Sequence, residues 1–308
     1  GSPFAADKCQ AMAQKSDFLG LEHDVSQAAT TGKVTFWVRH RLHQKVVSII
    51  AKAQDDRCLT PGTASKLYGC AQFLETGMYG RVGRSGLNAI KARQYEHASC
   101  LTPSIDCAFE RLTSLMLEEP RRDVYMTAVE IRRFLAASDA ALETPRNGTG
   151  GYLLVWNPAS RDQLREGAVA DIPASIYDLW TDSSFKIAQL ELLMVLVALV
   201  NNPAKFRRAR GIWCIDNVAA LMAVVRNRSD SPELDQLAGM IHAVLFALET
   251  WIYFEWVQSG SNWADGISRH AERDRWHKQQ GFSCTRAPVP LELWHLPFRG
   301  VVRVAEFL

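Results

Sequence analysis

Ile212-Trp213-Cys214-Ile215 is a short apolar run that follows Gly211, ends in Asp216-Asn217 and leads into a helix-like segment. Four apolar residues without polar alternation read as a strand buried on both faces, with the carboxylate emerging where strand gives way to loop. Such a strand needs neighbours on its edges and helices over its faces, so the chain has to be layered α/β structure. Asp-Asn after a strand is, by itself, most often a turn or a helix N-cap. Three further carboxylates change its weight. Asp139 ends the apolar stretch Phe134-Leu135-Ala136-Ala137-Ser138, Glu191 sits inside an apolar helix expected over Ile187–Val200, and Asp265 lies within Asn262-Trp263-Ala264-Asp265-Gly266-Ile267-Ser268-Arg269.

The surrounding pattern supplies the layers. Ile131–Leu142 reads as a strand, Asn147-Gly148-Thr149-Gly150-Gly151 as a hairpin turn and Tyr152–Trp156 as the partner strand. A third strand is expected between Leu164 and Tyr177. Ser231-Pro232-Glu233 has the N-cap, N1 proline and early acid of a helix start, and Trp251–Val257 is a β-prone last strand. Upstream, Val34–Gln54 has helical spacing, Thr60-Pro61 opens a second helix through about Glu75, and a third is expected over Ser85–Glu96. These three make a small all-helical unit. The break Glu118-Glu119-Pro120-Arg121-Arg122-Asp123 suits an exposed connection. The expected division is therefore a helical segment over 1–122, an α/β domain over 123–275 and an extension over 276–308.

Residues 33–93 hold eleven Lys or Arg against three acids, although the whole chain carries only +2. Clustered positive charge suits a phosphate backbone; the plainer reading is a solvated helical face. The seven cysteines are odd in number and never spaced as CxxC, which favours a reducing, intracellular setting over a disulfide framework or zinc site. The run Leu190–Val200 is too short to span a bilayer, so no membrane segment is expected. Gly1-Ser2-Pro3 reads as a cloning scar, with the natural chain expected to extend further.

Burying an unpaired carboxylate costs several kcal/mol, so Glu191 among leucines must reach solvent, a partner or a cation. A negative charge near a helix start also favours the helix dipole, by about 0.3–1 kcal/mol. Asp139 and Asp265 have ordinary capping readings too. The four together satisfy a stricter need: a pair of divalent cations requires several carboxylates on rigid, separate elements, and oxygen-only ligation points to magnesium or manganese.

Ser138-Asp139-Ala140, Glu191-Leu192-Leu193-Met194, Ile215-Asp216-Asn217-Val218 and Asn262-Trp263-Ala264-Asp265-Gly266-Ile267-Ser268-Arg269 resemble, in this order, the motifs of the ribonuclease H domain of reverse transcriptases. The nearest likeness is to gypsy-like and DIRS-like retroelements, over about residues 131–270. The last motif is the specific one. Phe18-Leu19-Gly20 and Leu59-Thr60-Pro61…Leu67-Tyr68-Gly69 resemble the thumb and connection that precede it. The resemblance implies an α/β fold with a five-stranded mixed sheet, strands one to three antiparallel, and cleavage of the RNA strand of an RNA–DNA hybrid. It implies Asp139, Glu191, Asp216 and Asp265 as ligands of two Mg2+ ions, with Mn2+ as substitute, and the polymerase portion of the same polyprotein as partner.

Thr181-Asp182-Ser183-Ser184 matches the usual first motif better in wording, but nine residues before Glu191 cannot hold two strands, so Asp139 keeps the role. No aromatic-x-Asp-Asp polymerase signature is present; Ala53-Gln54-Asp55-Asp56 lacks the aromatic. Within this resemblance one ion sits on Asp139, Glu191 and Asp216 and the other on Asp139 and Asp265. Asn217 is placed to contact a 2′-hydroxyl of the hybrid, Arg39, Arg41, Lys45 and Arg81 extend its track, and His270 is an auxiliary group. A catalytically silent nucleic-acid-binding scaffold of the same fold, in a ribonucleoprotein, is the main alternative. An integrase-like transferase is weaker, since such sites typically use three carboxylates.

Overall fold

The computed structural model of the chain describes residues 13–18, 21–77, 81–117, 121–126, 131–144, 146–180 and 186–307. Leu19-Gly20, Met78-Tyr79-Gly80, Glu118-Glu119-Pro120 and the Thr181-Asp182-Ser183-Ser184 motif lie outside them.

The first elements are β1 (Lys15–Phe18), β2 (Leu21–Asp24), α1 (Ala28–Thr31), β3 (Lys33–Val38), α2 (His40–Asp55), α3 (Pro61–Gly77), α4 (Leu87–Arg93), α5 (Pro103–Leu117) and β4 (Arg121–Tyr125). The strands form an antiparallel sheet in the order β1-β2-β3-β4. The N-terminal part is thus not all-helical. Val34 and Val38 continue the spacing of the helix after them, but Val34-Thr35-Phe36-Trp37-Val38 is β-branched and aromatic, and the strand wins.

The expected charged connection is also a strand. Arg121 stacks over Trp37 and Arg122 over Trp251, 5.5 and 4.7 Å from the ring centroids. Asp123 accepts from Thr35 Oγ1 at 2.7 Å and pairs with Lys33 at 2.6 Å. Charges that read as solvated in sequence are consumed by neighbours across the sheet, so the expected break at 122/123 falls inside β4.

The second set is β5 (Arg133–Thr144), β6 (Asn147–Trp156), β7 (Leu164–Ile172), α6 (Ala174–Asp178), α7 (Ile187–Asn201), α8 (Pro203–Phe206), β8 (Arg210–Ile215), α9 (Val218–Arg226), α10 (Pro232–Ala247) and β9 (Trp251–Trp256). After it come α11 (Asp265–His270), α12 (Arg275–Gln279), β10 (Ser283–Arg286) and α13 (Phe298–Phe307). The sheet order is β10-β7-β6-β5-β8-β9, with β5, β6 and β7 antiparallel and β8 and β9 parallel to β5. This is the ribonuclease H-like mixed sheet with helices on its faces. A sixth strand, β10, pairs parallel with β7, and residues beyond 275 pack on the body: Trp294, Phe298, Val301 and Val302 join the main core.

Asn147–Gly151 belongs to β6 rather than to a turn. Its glycines let helices approach closely. A Cβ on Gly150 would lie 2.4 Å from Met194 Sδ of α7, and one on Gly151 would lie 2.9 Å from Ile267 Cγ2 of α11. The central helix α7 is buried all round from Gln189 to Leu199, as its uniform hydrophobicity requires. One core cluster runs from Val46 to Val302 and joins the two sets of elements.

In β8 only Trp213 and Ile215 are buried and Ile212 is 44% exposed, so this strand is not buried on both faces as expected; at its second residue, Gly211, a Cβ would meet the Phe134 ring and carbonyl oxygen at 2.5 Å. Gly211→Ala should therefore lower stability by about 1–3 kcal/mol through overpacking. Gly62→Ala, with nothing within 4 Å, should raise it by up to about 1 kcal/mol. Urea melts of both variants check the contrast.

Candidate metal centre

Strand register places two of the carboxylates. The β5–β8 ladder ends at Ala137↔Cys214, and carried two residues further it sets Asp216 level with Asp139. There β8 has stopped, so the Asp216 side chain stands at the end of the sheet while Asp139 is held within longer β5. Helix α7, seated on the β6 glycines, brings in Glu191. One carboxylate oxygen from each of Asp139, Glu191 and Asp216 lies within 4.8 Å of the others. Asp139 and Glu191 are each only 4% exposed.

Each carboxylate has a dedicated donor. Ser268 Oγ, fully buried, donates to Asp139 Oδ2. Asn262 Nδ2 donates to Asp216 Oδ1 at 3.2 Å and to the Ser138 carbonyl at 3.1 Å, while its Oδ1 accepts from the Ala264 amide. Asn217 Nδ2 donates to Glu191 Oε1 at 3.3 Å, and its Oδ1 caps α9 by accepting from the amides of Ala219 and Ala220. Asn217, expected to touch a nucleic-acid hydroxyl, is thus a helix cap that also steadies Glu191. Ser268 and Asn262 stood in the quoted motif without a role. Their signal was polar side chains flanked by Ala264, Trp263 and Ile267, where burial forces a partner.

These donors do not neutralise the cluster. Burial first, then the like charges of Asp216 and Asp265, push Asp139 up to about 6 against the Ser268 hydrogen bond. Glu191 is pushed up to about 9 by burial and by the charges of Asp216 and Asp139. Its Oε2 is buried with no hydrogen-bond partner. An orphaned carboxylate oxygen, an all-oxygen donor set and two carboxyls that resist ionisation side by side fit a hard divalent cation.

The other expected residues are placed differently. Asp265 starts α11, outside the three-carboxylate cluster, and its Oδ1 pairs with Arg269 Nε at 2.7 Å. His270 is exposed at the opposite end of that six-residue helix. Arg39 pairs with Asp17, and Arg41 and Lys45 are exposed on α2. Arg81 Nη1 donates to the Val225 carbonyl at 2.7 Å, at the end of α9. Lys33, Arg39, Lys52, Arg57 and Arg93 have acidic partners, so part of the local excess of positive charge is offset within the protein.

No family model matches the chain, and no curated protein matches it. Among solved structures it is similar to RNase H1 of the halophilic archaeon Halobacterium salinarum NRC-1, at 17% identity over 45% of this chain and 96% of that one, TM-score 0.32. It is also similar to the N-terminal RNase H domain of a Mycobacterium tuberculosis protein fused to maltose-binding protein (15%, 48% and 98%, TM-score 0.32). A foamy viral protease-reverse transcriptase in complex with double-stranded DNA matches 80% of this chain at 11% identity and TM-score 0.27; the chain spans 38% of that protein. Scores this low decide nothing. The fold stands on its strand order.

Raised carboxyl pKa values mean that the folded, cation-free chain keeps protons the unfolded chain has released. Stability in chelator should therefore fall as pH rises from the ordinary carboxylate values near 4 towards 9, by up to about 1.4 kcal/mol per pH unit for each proton involved. Glu191→Gln should flatten the slope above pH 6. Thermal melts from pH 5 to 8.5 read it directly, and a slope unchanged by the substitution would contradict the burial argument.

Proposed function

We propose that the chain is a divalent-cation-dependent endonuclease that hydrolyses the RNA strand of RNA–DNA hybrids, as the C-terminal part of a retroelement-type reverse transcriptase. One observation carries this reading: three carboxylates from β5, α7 and the end of β8, two of them buried, meet within 4.8 Å, in the strand order of a ribonuclease H-like sheet. The order of the four sequence motifs supports the retroelement context and the polymerase portion as partner.

Asp139, Glu191 and Asp216 would hold Mg2+ or Mn2+. Bound there, such cations polarise a phosphodiester and lower the pKa of an attacking water. The chain's own contribution is to fix the ligands before substrate arrives. Ser268, Asn262 and Asn217 each bond one carboxylate, and the apolar helix α7 keeps bulk water from the inner side of Glu191. Hydrolysis breaks the P–O3′ bond and leaves a 5′-phosphate and a 3′-hydroxyl. Asp265 is the fourth carboxylate in this reading, and its approach requires release from Arg269.

The silent-scaffold alternative has that ion pair in its favour, since it ties the fourth carboxylate to a neighbouring cation. Labelled hybrid, duplex RNA and duplex DNA, each with Mg2+, Mn2+ or chelator, separate the two. The nuclease reading expects cutting of the RNA strand of the hybrid only, only with cation, and a loss of at least a hundredfold in Asp139→Asn and Asp216→Asn. Binding of hybrid without cation-dependent cutting would establish the scaffold instead.

A further inference from the structure

The arginines that line one continuous surface come from both halves of the chain, two from the positive stretch at 33–93 and three from beyond it. Two adjoining clefts of about 670 Å³ each run along α9, between it and α3, and share Gln72 and Arg84. The first is also lined by Arg81 and Arg122, the second by Arg226 and Arg228. Among the described residues, the only acid lining either is Asp230. Five guanidinium groups from residues 81, 84, 122, 226 and 228 thus meet in one trough, brought from three separate stretches of chain. Asp235, packed beneath Asn88 and the Ser229 amide, offsets part of the Arg228 charge.

The trough leads to the candidate metal centre. It begins at Ala219, three residues after Asp216, and reaches Arg226 at the far end of α9. Seven helical steps cover roughly 10 Å, or about three base steps at about 3.4 Å each. Arg122 is held in place by its stack on Trp251, and Arg81 by its bond to Val225. Tyr253, two-thirds exposed on the sheet edge, lines the outer part of the first cleft. Planar guanidinium forks match phosphate oxygens, and an exposed aromatic beside them suits a base or sugar face. An elongated cationic trough with one end at a phosphodiester-cleaving site suits a strand, rather than a single nucleotide.

We propose that this trough between α3 and α9 binds the phosphodiester backbone of the nucleic acid about three base steps from the bond that is cut. The proposal rests on the nuclease reading for the identity of its ligand. It gives the N-terminal elements a function: α3 and the loop carrying Arg81 and Arg84 supply the second wall.

Fluorescence anisotropy of a labelled 24-base-pair RNA–DNA hybrid, in chelator and over a salt series, tests it on the full chain. Arg226→Gln/Arg228→Gln should weaken binding about tenfold at low salt. It should also reduce the slope of log affinity against log salt by nearly 2, at about 0.9 for each lost phosphate contact. Arg161→Gln/Lys278→Gln, exposed and outside the trough, should bind within threefold of wild type. Circular dichroism melts accompany each variant, and Arg84→Gln on the opposite wall gives an independent loss if the double variant folds poorly. Inorganic phosphate or a mononucleotide competing at equal phosphate concentration would identify a small-anion site and overturn the proposal. So would trough variants that bind as wild type, or an equal loss in the Arg161/Lys278 control. Arginine-dependent binding without cation-dependent cutting removes the nuclease reading and keeps the trough. Cutting with binding indifferent to all three arginines does the reverse.

Discussion

Three carboxylates held within 4.8 Å of one another, two of them almost wholly buried, are electrostatically unfavourable in any protein that holds nothing between them. The rest of the fold can be understood as what keeps them there. Asp139 is fixed by a strand paired on both sides, Asp216 by the end of a parallel neighbour, and Glu191 by a helix with no solvent-facing side. Their donors, Ser268, Asn262 and Asn217, come from the following motif and the following helix cap. The arrangement is therefore local in space although its members are spread from residue 139 to residue 268.

Close approach makes it possible. The β6 glycines let α7 and α11 settle on opposite faces of the sheet, one bringing Glu191 and the other Ser268 to β5. The helices of the N-terminal part share the same core and close over α9, and this contact creates the arginine-lined trough. Arg122 over Trp251 links the smaller sheet to the edge of the larger one. Binding surface and catalytic candidate are consequences of one packing arrangement.

Much of the second half was legible in the sequence because buried strands and helices write long, one-sided patterns. The strands at 134, 152, 212 and 251, the helix at 187 and the Ser231 cap all lie where periodicity and capping chemistry put them. Asp139, Glu191 and Asp216 were legible by their position at the ends of those patterns. Pairing was not legible. The strand at Lys33–Val38 mimics helical spacing, the β6 glycines mimic a turn, and the charges at 121–123 mimic a linker, each until the neighbour across the sheet is known. The same holds for the positive cluster at 33–93, part of which is paired with acids at residues 17, 96, 106 and 123, and for a trough whose arginines lie up to 147 positions apart in the sequence.

A crystal grown with Mn2+ and measured for anomalous scattering puts the central claim to its most direct test. The account predicts a peak bridged by oxygens of Asp139, Glu191 and Asp216 at the roughly 2.0–2.2 Å of hard-cation coordination, and its disappearance in Asp216→Asn. Those three carboxylates turned apart, or close together with no manganese at any concentration that supports cutting, would contradict it.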